Sequence, residues 1–482
     1  MYSEDCVVQD LNTIYVSDAV AWEHCSRHAW FVLHTPVVEE IETDSFEKLI
    51  KTLGDEHEAE VLARFEISRT AKSVAHTQKL IEARAPVIYQ PKFFDAELNL
   101  AGVPDFLLLE GENYRVADAK LALSVSGKRA IKAQLATYRR LARSQLPALV
   151  FLGDGETVET DLEDDVIGES FVSEMQALRV EDVQPETHYS HTKCSPCQFR
   201  YSCVPEFKQA DDLTLNPAIQ ARAADGLRQI GIKTLAALAN SEPDKLPDVP
   251  YLKGEVRKRR AILQARSLRS GEILKIDDIN LPVGDYLHFD IESDPMARAG
   301  RGEVYLWGFL IPTPNGAGFK YVWKERDYDT DEQAWSRFLA MVGGFRERFQ
   351  NPYFVHYSNY ERVQIQRYAD RYGDQSHEIV QWLLADAGPL LDLRTLVKDA
   401  YILPLLSYGL KMICRDPRLV NFQWRLDESG SQWSVVRYYD YLDASNDAAA
   451  AEIKAEILTY NEDDVRATHA LTQWLESMEN ET

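Results

Sequence analysis

The sequence predicts a mixed α/β chain built as two α/β units with a helical segment between them. Three observations predict it. Helical periodicity alternates with short β-type runs over residues 1–208 and again over 276–482, whereas 209–275 is helical almost throughout. The 482 residues exceed what one domain usually holds and suit two or three. Hydrophobic residues make up 45% of the chain, enough for separate cores.

Composition narrows the function classes. The formal net charge of −24 argues against a protein that coats nucleic acid over its whole surface, yet it leaves room for a hydrolase that concentrates carboxylates around a metal. No apolar run reaches the roughly 18 residues of a membrane span, so no membrane partner is expected. The start, "MYSEDCVVQD", lacks a basic stretch followed by an apolar one, and a cytoplasmic location is expected. Thiols stay reduced there, so clustered cysteines bind metal more often than they pair. No G-x-x-x-x-G-K-[ST] loop is present, which argues against ATP hydrolysis of the P-loop kind.

In the first unit, "SFEKLIKTLGDEHEAEVLARF" has helical periodicity. "NLAGVPDFLLLE" and "NYRVADAKLAL" read as adjacent strands joined by a "GEN" turn, "RAIKAQLATYRRLARS" as a helix and "PALVFLGDGE" as a further strand. Asp118 and Lys120 stand at i and i+2, so they share a strand face, and Asp105 can reach them across the hairpin. Two carboxylates can hold Mg²⁺ or Mn²⁺ through oxygen. A lysine beside them can polarise water or neutralise charge on a phosphorane. His57 and Glu58 lie upstream on the predicted helix, and an imidazole near carboxylates favours Mn²⁺ somewhat. Gln134 and Tyr138, at i and i+4, share a helix face.

The order of these pieces resembles the PD-(D/E)XK nucleases of the RecB type, over roughly residues 10–205. The matching motifs are G-x-x-H-E at Gly54–Glu58, P-D at Pro104–Asp105, D-x-K at Asp118–Lys120 and Q-x-x-x-Y at Gln134–Tyr138. Asp118 stands where Glu is usual. The resemblance implies that His57, Asp105 and Asp118 hold a metal, that Lys120 assists the attacking water, and that Gln134 and Tyr138 position the lysine or the substrate.

The stretch "KCSPCQFRYSC" places Cys194, Cys197 and Cys203 in C-x2-C-x5-C spacing, one ligand short of a four-thiolate site. One branch of RecB-type nucleases carries an iron–sulfur cluster on one cysteine before the nuclease core and three after it. By that resemblance Cys25, in "AWEHCSRHAWF", is the fourth ligand of a 4Fe–4S cluster. Four thiolates also suit tetrahedral Zn²⁺, and spacing alone does not choose between them. His24, His28 and His191 read as bystanders, and Cys6 and Cys414 are left over.

In the helical segment, "GLRQIGIKTLAALANS" reads as two short helices around "GIK", open to a helix-hairpin-helix or a plain linker. "KGEVRKRRAILQARSLR" carries seven basic residues and one acid, open to a solvated helix face or a strip that tracks phosphates.

The second unit opens with "DYLHFDIESDP" and "EVYLWGFLIP" as a strand pair, followed by "NPYFVHYS" as a buried strand and helices near 332–349, 360–372 and 450–476. Asp290 and Glu292 are at i and i+2 on a buried strand. Two acids side by side are costly there unless a cation lies between them. Tyr460 and Asp464 stand one helical turn apart. D-x-E early with Y-x-x-x-D late resembles the DEDD exonucleases, which share the RNase H-like fold, and "LLDLRTLVKDAYILPLLSYGLKMI" looks like their YprB-type branch. The resemblance implies that Asp290, Glu292 and Asp464 hold metal and that Tyr460 orients water. It requires a further acid midway. Glu361 fills that place where most members have Asp; His356 is a weaker alternative, and Asp392 reads as a helix cap or a supporting carboxylate.

Together these readings give an iron–sulfur PD-(D/E)XK domain over 1–208, a helical linker over 209–275 and an RNase H-like domain over 276–482. They imply metal-dependent hydrolysis of DNA, single-stranded or at ends, with a helicase as a candidate partner. The alternatives are an accessory subunit that holds nucleic acid with idle sites, and an RNA 3′ exonuclease.

Overall fold

A computed structural model of the chain describes residues 13–35, 45–297, 302–326, 329–426 and 431–480. The chain folds as two compact units, one of residues 1–188 with 295–302 and the other of 189–294 with 303–482. The expected hairpin forms in the first. Phe106–Glu110 pairs antiparallel with Asn113–Lys120, and Asn113–Lys120 pairs in parallel with Leu149–Leu152. These are the central strands of a six-stranded sheet that runs Arg69–Thr70, Val87–Tyr89, Phe106–Glu110, Asn113–Lys120, Leu149–Leu152, Thr157–Glu159. One sheet face is covered by the helix Arg129–Ala142, which buries Ala133, Leu135 and Tyr138, and the helix Asp165–Val180 packs on that helix, burying Phe171 and Met175. The helix Ser45–Leu62 packs on the strand Asn113–Lys120, with His57 and Val61 as its buried residues.

Residues 189–270 begin the second unit. The cysteine-bearing segment packs with the helical one: Tyr189 and Phe207 share a core with Leu227, Leu238 and Ile262, and Cys194 and Cys203 lie against it. Ala221–Gln229 and Leu235–Ala239 are the two short helices around "GIK". Their connecting N–H groups are used internally. Those of Gly231 and Ile232 go to Arg228 and Leu227 carbonyls, and those of Leu235 and Ala236 go to the Asp211 carbonyl and carboxylate.

The basic stretch forms the helix Glu255–Ser270. Four of the stretch's cations turn inward or bind neighbouring segments. Lys258 donates to the Leu246 carbonyl at 2.6 Å and pairs with Asp248 at 2.6 Å, Arg260 and Arg266 donate to the Lys398 and Ala239 carbonyls, and Arg269 pairs with Asp211. The helix therefore contributes to packing, and less of its charge is available to phosphates than the sequence suggests.

The rest of the second unit is a five-stranded sheet in the order Gly316–Trp323, Glu303–Thr313, Tyr286–Asp294, Tyr353–His356, Leu390–Asp392. The first three strands are antiparallel neighbours and the last two join in parallel. Strand Tyr286–Asp294 is thus central, with Leu287, Phe289 and Ile291 in the apolar core beside Trp307, Phe309 and Phe338. Alternation sends Asp290 and Glu292 to the opposite face, where the 34-residue helix Asp447–Asn480 packs. Among the described residues no helix is long and apolar enough to cross a membrane.

Candidate active sites

The first cluster forms where the hairpin brings Asp105 beside Asp118. The Asp105 N–H donates to Asp118 Oδ1 at 2.9 Å, and the Ala119 N–H donates to Asp105 Oδ2 at 2.7 Å. Each carboxylate is therefore oriented by the other's strand. Lys120 Nζ lies 2.7 Å from Asp118 Oδ2. That oxygen is buried and makes no aligned hydrogen bond, so its contact with Lys120 is one of charge.

Burial pushes the Asp105 carboxyl up to about 9, helped by the Asp118 and Glu58 charges and opposed by Lys120. Burial alone would lower the Lys120 ammonium, but Asp118, Asp105 and Glu58 outweigh it and hold it above its ordinary value. Tyr138 is raised well above its ordinary value by burial and by the charges of the same two aspartates. Gln134 is buried one turn away on the same helix. Glu58 accepts from Gln90 Nε2 at 3.0 Å, and the Gln90 N–H donates to the Asp105 carbonyl. His57 Nε2 donates to the Phe151 carbonyl at 3.0 Å, since a carbonyl only accepts.

The second cluster is tighter. Asp290, Glu292 and Asp464 each offer a carboxylate oxygen, and the three oxygens lie within 4.8 Å of one another. Burial, then the neighbouring carboxylates, raise Asp290 far above the ordinary range and Glu292 to about 8. Burial raises Asp464 as well, against Lys411, Trp424 and Tyr460. Each acid is held. Asn461 Nδ2 donates to Asp290 Oδ2 at 2.7 Å and reaches Glu292 Oε1 at 3.4 Å, Ser434 Oγ donates to Glu292 Oε2 at 2.7 Å, and Trp424 Nε1 donates to Asp464 Oδ1 at 2.7 Å.

Residues 287–476 match the family model of the RNase_H superfamily. The RNase H-like domain thus spans the D-x-E strand and the Y-x-x-x-D helix. The match points to a nuclease-type, nucleic-acid-cleaving hydrolase, of a superfamily that generally uses divalent metals such as Mg²⁺. No curated protein matches the chain.

Within the RNase H-like domain, Tyr460 is buried, accepts from Lys411 Nζ at 3.3 Å and hydrogen-bonds Asp464. Glu361 is outside the three-acid group. It lies 3.2 Å from His356 Nδ1, which also donates to the Ser358 carbonyl, and burial raises it. It remains one of the charges that raise Asp290. Asp392 accepts from the Ser358 and Arg394 N–H groups at 2.9 Å each and from Thr395, so it caps the helix Leu393–Ala400.

Sequence reasoning missed Lys411, Asn461, Ser434 and Trp424. Asn461 had a signal, because a polar residue between Tyr460 and Asp464 on a buried helix needs a partner. Lys411, inside the quoted "YGLKMI", had a weaker one, and Ser434 and Trp424 had none.

The cysteines Cys25, Cys194, Cys197 and Cys203 are half-buried thiols. Cys25 belongs to the first unit and the other three to the second. Two sulfurs accept backbone N–H groups, Cys25 from His28 at 3.2 Å, where it caps the helix Ser26–His34, and Cys194 from Ser190 at 3.4 Å. Cys414 is fully buried, and Cys6 lies outside the described residues.

Proposed function

We propose that the chain is a metal-dependent nuclease that hydrolyses DNA, single-stranded or at ends, and that it has two active sites. The observation that carries the reading is the group of three acids at Asp290, Glu292 and Asp464. Three carboxylates this close, each raised by burial, form a poor resting arrangement and a good divalent-cation site. The donor set, all oxygen, suits Mg²⁺ or Mn²⁺. When bound, such ions neutralise charge on the scissile phosphate and on the attacking and leaving oxygens.

The chain's own residues do the remaining work. Asn461, Ser434 and Trp424 fix which oxygen each acid presents. Tyr460, held by Lys411 and Asp464, orients the water. Glu361, paired with His356 and outside the three-acid group, adds its charge to the field at Asp290. In the first site Asp105 and Asp118, with His57, hold the metal, Lys120 orients or polarises the water, and Gln134 and Tyr138 position the lysine.

We propose further that Cys25, Cys194, Cys197 and Cys203 bind a 4Fe–4S cluster. Brown colour and iron in anaerobically purified protein are expected; colourless protein with stoichiometric zinc would rule the cluster out.

The test is cleavage of labelled single-stranded DNA in Mn²⁺ by the wild type, Lys120→Ala, Asp290→Ala and the double variant. Each single variant should retain part of the activity and the double variant none. If no form cleaves but all bind DNA, the chain is a binding subunit. Cleavage of RNA in preference to DNA would make it an RNA exonuclease.

A further inference from the structure

Gly308 stands on strand Glu303–Thr313 directly opposite Asp290. A Cβ at that position would lie 1.7 Å from Asn461 Oδ1 and 2.9 Å from its Cγ. The Asn461 amide therefore occupies the space that any side chain at 308 would need. Asn461 is 0% exposed, and its Oδ1 has no hydrogen-bond partner among the described residues. Its Nδ2 carries both useful contacts, at 2.7 Å to Asp290 and 3.4 Å to Glu292. The amide is thus inserted for its two N–H donors, and its oxygen is left over bare glycine.

We propose that Asn461 is the positioning residue of the second site, setting Asp290 and Glu292 at a spacing that receives a divalent cation, and that Gly308 is glycine to admit it. The inference rests on the metal-binding reading of that site. Two N–H groups on one nitrogen can hold one oxygen of each acid. An amide is neutral, so it orients both carboxylates without satisfying their charge, which leaves that charge for the ion. A lysine here would compete with the metal, and a carboxylate would add to the repulsion. Burial keeps water from replacing the amide.

Partners that orient metal ligands typically contribute about 10–100-fold in metal affinity. The experiment measures Mn²⁺ binding calorimetrically on the full chain, in an Asp105→Asn, Asp118→Asn parent in which the first cluster does not respond. Asn461→Ala should weaken binding by about tenfold or more. Gly308→Ala should weaken it similarly by expelling the amide, and the double variant should be no worse than either single one. Asn461→Ser, which fits the space and keeps one donor, should fall between.

Cleavage should follow the same pattern, recovering at high Mn²⁺ with KM for DNA unchanged. Damage from misfolding would instead add in the double variant, would not recover with metal, and would overturn the inference. If the parent binds and Asn461→Ala binds equally, positioning by Asn461 is refuted while the metal reading stands. If the parent binds no Mn²⁺, the metal reading is refuted and the inference with it.

Discussion

Neutralising one acid of the second cluster should stabilise the metal-free protein while removing its response to metal. The perturbation is Asp290→Asn, which keeps the shape and an acceptor for Asn461. Two carboxylates within 4.8 Å repel by about 3.5 kcal/mol or more at an effective dielectric of 20. Asp290 faces two such neighbours, so full ionisation would cost about 7 kcal/mol on its account. The acids avoid part of that by keeping a proton. Holding one on an aspartyl group at pH 7.5 costs about 5 kcal/mol, which caps the relief. Asp290 is partly open to solvent, and the realised gain should be about 1–3 kcal/mol. At about 2–4 °C per kcal/mol this raises the melting temperature by several degrees.

The assay is calorimetric unfolding in chelator and then in Mn²⁺, with Asp105→Asn in both proteins to silence the first cluster. Without Asp290→Asn, metal at about 100 Kd should add about 2.7 kcal/mol. With it, metal should add almost nothing. A less stable metal-free Asp290→Asn protein, or equal stabilisation of both by Mn²⁺, would refute the reasoning.

Lys411→Met should tighten Mn²⁺ binding roughly tenfold, because a positive charge near the three acids is lost. Cleavage at the second site should nevertheless fall, because Tyr460 loses its donor; binding and single-turnover assays separate the two effects. Asp18 gives a pH test in the first unit. Burial raises its carboxyl to about 6, against the Tyr15 N–H. The folded form therefore holds a proton that the unfolded chain releases above about 3.8, so stability is full below that pH and is lost as pH rises through 6. Asp18→Asn should be the more stable protein at pH 7, by up to about 3 kcal/mol, with the difference fading towards pH 4 in denaturant titrations. Lys258→Met should cost about 1–3 kcal/mol of stability and leave the salt dependence of DNA binding unchanged, since that ammonium serves Leu246 and Asp248.

Much of the fold was legible because it is local. The hairpin around "GEN", the D-x-E strand and the helices near 332–349, 360–372 and 450–476 follow from periodicity, and the structure places them at Asp331–Arg348, Tyr360–Tyr372 and Asp447–Asn480. What escaped is what long-range packing decides. Nothing in "KGEVRKRRAILQARSLR" says that the Leu246, Lys398 and Ala239 carbonyls wait for its cations. Asp392 could be read as cap or ligand, and two local donors, the Arg394 N–H and the Thr395 hydroxyl, make it a cap, with the Ser358 N–H reaching it from 34 residues away.

The two clusters show why one site is easier to read than the other. Each sets buried carboxylates beside a single lysine. In the first, Asp118 and Lys120 are two residues apart on one strand, so strand geometry alone brings the charges together. In the second, Lys411 comes from a separate short helix and meets Tyr460 across 49 residues. Asn461 reaches Asp290 across 171 residues, by way of a glycine on a third element. The chemistry repeats while the sequence separation does not, so a motif could announce D-x-K but not the lysine and amide that complete the second site.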